Sequence, residues 1–174
     1  MFKQSDIEKY FSEFKNEQVF LMVLGGVALI IAVVFYAALK TNWYRGFALP
    51  LAVFALLNIG AGFSNYKKAD ALKVRNIYNY DLHPELLKMK ELPRIIEMNQ
   101  NFTVLIYVNT SIIFAAAFIF FYFKKKEGSE YYMGVAASLF LVAVLSVVIY
   151  SVIVNRSKDY EKGIVEFTKE IFVK

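Results

Sequence analysis

The chain of 174 residues is 58% hydrophobic and 17% aromatic, carries 20 basic against 15 acidic side chains, and has one histidine and no cysteine. Without cysteine there are no disulfides, no thiolate catalysis and no cysteine-ligated zinc. A net charge of +5 suggests nucleic acid, but the charges are interspersed by sign where they are dense, and a nucleic-acid groove needs a one-signed patch.

In chain order, the first element is a charged helix. Ser5, Asp6, Ile7 and Glu8 fit a capping box. Ile7, Tyr10, Phe11 and Phe14 then follow at i, i+3, i+4 and i+7, so an amphipathic segment is expected over residues 5–18. Four apolar runs account for the composition: residues 19–39, 47–64, 102–123 and 133–154, none with Asp, Glu, Lys, Arg or His. Each has about the 18–25 residues that cross a hydrocarbon core of roughly 30 Å as a helix. A lone strand in lipid leaves its amides unpaired, so helix is the structure that satisfies them. The first run is too long for a signal-peptide core, and no clear cleavage site follows it.

Connectors alternate in length. Residues 40–46 and 124–132 read as tight turns, whereas both tails and residues 65–101 are long and charged. The expected fold is therefore all-α and polytopic: one four-helix transmembrane domain over 1–174, its spans arranged as two like-oriented hairpins. Amphipathic segments at about 5–18, 66–100 and 156–173 lie on the side of the termini. Pro50 is placed in the first turn of its helix. Two short interfacial helices, residues 84–90 and 93–99, each begin with proline. Faint similarities between the hairpins, such as Phe35-Tyr36 with Phe121-Tyr122, are as well explained by chance as by duplication.

Fifteen of the twenty basic residues fall on the tails and central stretch, against Lys40, Arg45, Lys124, Lys125 and Lys126 on the turns. The positive-inside rule then places both termini in the cytoplasm, in a bacterial-type inner membrane. On the terminal side those fifteen face thirteen acidic residues. The basic ones near the spans suit anionic lipid.

Candidate sites are few. The spans hold no carboxylate or basic group of the kind that coupled transport uses. Asn58, Asn109, Thr110 and Ser111 are the deepest polar residues and form a possible polar seam, with interhelical hydrogen bonding as the simpler role. Asp81, His83 and Glu85 alternate as metal ligands would in an extended chain, but Pro84 breaks the alternation. No nucleophile, oxyanion motif or phosphate-binding loop accompanies His83, so neither an enzyme nor a cofactor is expected. His83, Glu85, Lys88 and Arg94, with Trp43 and Tyr44 at the far turn, form the expected docking surface; an aromatic belt at headgroup depth is the other role for Trp43 and Tyr44. The chain is expected to sit in a lipid bilayer, bind a protein partner or its own copies, and bind no nucleic acid. Its expected function is non-enzymatic protein–protein contact, as an accessory subunit of a membrane assembly or an immunity-type protein against a membrane-active toxin. The alternative is an oligomeric channel or passive carrier.

Overall fold

A computed structural model describes residues 2–172, with side chains described to residue 170. The described chain is all-helical: α1 (Gln4–Ala37), α2 (Asn42–Leu82), the single turn α3 (Pro84–Leu86), a π-helical turn (Leu87–Glu91), α4 (Leu92–Phe123) and α5 (Glu130–Phe172). Four stretches are long and apolar enough to cross a membrane: Gln4–Ala37, Asn42–Leu82, Pro84–Phe123 and Glu130–Glu170. The 41 residues of α2 extend about 60 Å at 1.5 Å per residue, twice the thickness of a hydrocarbon core. The charged segments are thus continuations of the apolar helices.

Local chemistry explains the ends. Lys3 is extended, and its N–H donates to Asp6 Oδ2 at 2.8 Å. The reciprocal cap expected at Ser5 and Glu8 is shifted two residues towards the amino end, and Ser5 lies inside α1. The first turn is residues 38–41, with Lys40 left-handed at φ 52°. Because α2 starts at Asn42, Pro50 sits in the helix interior rather than the first turn, and its missing N–H leaves the Gly46 carbonyl without the usual donor. Pro84 drives the preceding residue out of helical geometry; His83 adopts φ −141°, ψ 61°, and α2 ends at Leu82.

Residues 84–90 and 93–99 are not separate interfacial helices. The chain reverses at His83, passes through α3 and the π turn, and joins α4 without a break, with Pro93 absorbed in the first turn of α4. Proline is harmless there, because first-turn amides have no intrahelical acceptor.

The helices pack in the order α1, α2, α5, α4, each against the next. Lys15 with Asp70, and Tyr80 with the Phe2 carbonyl, fix α1 and α2 as antiparallel. At the end away from the termini, α2 and α5 approach closely. A Cβ on Gly46 would stand 2.1 Å from the Tyr131 carbonyl oxygen, and one on Gly134 would stand 2.0 Å from that of Trp43. Small residues allow such backbone contact. Gly25 and Gly62 serve α1 and α2 similarly, whereas Gly26 and Gly60 face open space.

Two cores result. The apolar half packs on Ala28, Ala32, Ala48, Leu51, Phe54 and Ala55. The charged half packs on Phe2, Ile7, Tyr10, Phe11, Leu87, Ile95, Tyr160 and Ile164.

Candidate functional site

Within the charged half, helical spacing brings polar groups inward beside the aromatic core. Glu91, in the π turn, is fully buried, and both its oxygens meet Arg94: Nε donates to Oε2 at 2.9 Å and Nη2 to Oε1 at 2.6 Å. Arg75 of α2 approaches Oε2 at 3.5 Å from a half-exposed position. Two fixed donors on one carboxylate make the strong form of ion pair. π turns inside α-helices recur at functional sites. Burial lowers the Arg94 pKa, but hydrogen bonding and charge from Glu91 outweigh it, and the net shift is upward.

Tyr10 and Tyr160 stack face to face, with centroids 4.0 Å apart and 3° between planes. Burial pushes both phenols above their ordinary pKa. For Tyr10, contact with Ser157 and the charges of Arg94 and Arg156 oppose the rise; for Tyr160, Glu91 and Tyr10 add to it while Arg94 opposes.

Closer to the apolar half, Arg156 lies 2.5 Å from Glu17 and sits over the Tyr10 ring at 5.2 Å. Among the described residues, its buried Nε and Nη2 find no hydrogen-bond acceptor, and Glu17 Oε2 finds no donor. Burial raises the Glu17 pKa more than Arg156 lowers it, and Glu13 adds to the rise. Asn99 donates to Glu161 at 2.7 Å, while the fully buried amide of Asn76 has no described partner on either atom. Unpaired buried polar atoms are rare and call for a reason.

The residues expected from the sequence are placed differently. Asn58 donates to the Phe54 carbonyl and Asn109 to that of Leu105, each at 2.8 Å; Thr110 and Ser111 likewise turn back on Ile106 and Tyr107. All four satisfy their own helix, and α2 and α4, which carry them, are separated in the packing order by α5. His83 pairs with Glu85 at 3.2 Å on the exposed surface, Lys88 is exposed on the π turn, and Arg94 turns inward to Glu91. Trp43 and Tyr44 stand at the opposite end of α2, about 60 Å away. The structure thus gathers His83, Glu85, Lys88 and Arg94 at one tip and leaves the two aromatics at the other. No group of three His, Asp or Glu side chains placed to hold a metal occurs among the described residues.

Sequence reasoning passed over Glu91, Tyr160, Arg156 and Asn76. Their available signal was spacing: Tyr160 and Arg156 extend the same α5 stripe as Ile164. Comparison with known protein families, with curated proteins and with solved structures finds no match.

Proposed function

We propose that this is a non-enzymatic, multi-pass integral membrane protein that acts by protein–protein contact, in the bilayer and at its charged end. In this reading the four apolar stretches are inserted as two like-oriented hairpins, and both termini and the charged half are cytoplasmic, in a bacterial-type inner membrane. The observation that carries it is the inverted packing of the apolar half. Alanine and glycine, with Leu51 and Phe54, make up its interior, while Ile30, Leu57, Phe114 and Phe118 are each more than 60% exposed. In water so large an apolar surface is a liability, whereas in lipid it is the expected exterior. Asn58, Asn109, Thr110 and Ser111, each bonded to its own helix, offer no shared lining for solute in a single chain, which favours contact over conduction. An accessory subunit and an immunity-type protein are the two concrete forms.

Absence of cysteine makes insertion easy to test. Single cysteines at Lys9, Glu85, Lys40 and Lys125 are expected to label from opposite faces of sealed vesicles, the first pair from one side and the second pair from the other. Purification in mild detergent from the native membrane is then expected to retain a protein partner. A chain that inserts but is recovered alone under gentle conditions overturns the contact reading.

A further inference from the structure

Along one face of the molecule, a groove in two sections runs between α1 and α5. On α1, Lys9, Glu13, Glu17, Phe20 and Leu24 follow at spacings of three and four; on α5, Val148, Val152, Arg156, Asp159 and Gly163 do the same. Its two sections meet where Glu17 pairs with Arg156. The section beside the apolar spans, about 310 Å³, is lined by branched and aromatic side chains. Beyond the ion pair a cleft of about 400 Å³ is lined by three cationic side chains, among them Lys9 and Arg156, and four carboxylates, among them Glu13 and Glu166. Tyr10 and Tyr160 line that cleft and are more than nine-tenths buried.

We propose that this groove is a specific site for one phospholipid whose headgroup carries a primary ammonium beside its phosphate. An acyl chain lies between α1 and α5 in the apolar section. The phosphate lies beside the cationic side chains that line the cleft, Lys9, Arg156 and Lys162, and the ammonium lies among the carboxylates. Charge decides among lipids. A purely anionic headgroup would face four carboxylates together with Glu17, and a quaternary ammonium cannot donate hydrogen bonds to them, whereas a primary ammonium has three donors. Large branched side chains suit a flexible chain better than a helix, which packs on small residues. The site rests on the membrane reading above but not on the presence of a protein partner.

The test is mass spectrometry of the intact protein released from vesicles containing equal parts of phosphatidylethanolamine, phosphatidylcholine and phosphatidylglycerol. One retained phosphatidylethanolamine is expected, enriched about tenfold over the others, as a buried charge-assisted hydrogen bond provides. Arg156→Gln should remove the preference, and Val152→Trp should fill the apolar section and reduce retention of all three lipids. Val104→Trp, on the exposed face of α4, should leave both unchanged. Equal retention of the three lipids by the unaltered protein overturns the proposal. So does a preference that survives both groove variants, or a photo-crosslinker at position 152 that captures a polypeptide. Resistance of the protein to alkaline carbonate extraction, measured on the same vesicles, separates failure of this site from failure of the membrane reading.

Discussion

The two halves of the molecule solve opposite packing problems with the same four helices. In the charged half, large side chains such as Phe11, Ile7 and Leu87 point inward, and carboxylates, lysines and arginines cover the outside, with Glu91 buried as the exception. In the apolar half most large side chains point outward, and alanine and glycine hold the helices together around Leu51 and Phe54. A core of Phe and Ile needs water outside to drive it together. A core rich in Ala and Gly gains little from exclusion of water and depends on close backbone contact. The difference teaches that one helix can change its buried residue type midway without a break in its hydrogen bonding, a division that the proposed membrane setting would favour.

The charged half breaks most severely at Glu91. Glu91→Ala leaves the partly buried Arg94 guanidinium without its carboxylate, and unfolding measured in detergent is expected to show a loss of about 3 kcal/mol, the low end for breaking a buried pair. Glu91→Leu combined with Arg94→Leu should recover most of it, since Arg75 can turn to water. The apolar half is next. Ile30, 66% exposed, tests its solvent directly, because Ile30→Lys costs about 2.5–3.5 kcal/mol at the centre of a span but within about 0.5 kcal/mol on a wet surface. A membrane-insertion assay reads the difference, and full insertion of the lysine variant would sink the inverted-packing argument. Gly134→Ala, whose methyl meets the Trp43 carbonyl, should cost about 1–3 kcal/mol by overpacking. Asn76→Leu should stabilise by about 1–3 kcal/mol, because it removes two buried polar atoms that have no described partner.

The mildest probe is alkali. Tyr10 and Tyr160 have folded pKa values raised by burial above the ordinary 10.0. The folded state therefore holds those protons longer than the unfolded chain does. The stability this represents is fully present below pH 10 and is lost as pH rises towards the folded values. Phenolate absorbance should show a late-ionising component, and Tyr160→Phe should reduce it.

The four apolar runs were legible because twenty or so residues without charge are a long, redundant signal. The amphipathic stripe of Ile7, Tyr10 and Phe11 was legible for the same reason, as periodicity survives single exceptions. Continuity was not. Prolines at 84 and 93 suggested two helix starts, but only Pro84 marks a break, and Pro93 fits within the first turn that the π turn feeds. Pro50 and Gly46 were misplaced because an apolar run marks where a span is greasy, whereas the helix begins at Asn42, capped by Thr41, whose hydroxyl accepts from the Tyr44 N–H. The burial of Glu91 was illegible because its cause is tertiary: α2 and α5 pack against the π turn that carries it. Asn58 and Asn109 attracted notice as polar residues in apolar runs, yet a nearby carbonyl one turn back sufficed for each.

The aromatic core joins Phe2 to Tyr160 and Phe167 through ring contacts of 5.9 and 5.8 Å, so its contributors leave the ribosome at widely separated times. The Gly46 and Gly134 contact closes earlier, once about 135 residues have been made. Until the second half of α5 has been made, the apolar stripe of α1 lacks Tyr160 and Ile164, while Glu91 is already met by Arg94 and Arg75. The apolar contacts can thus form first and leave the charged end open until α5 is in place.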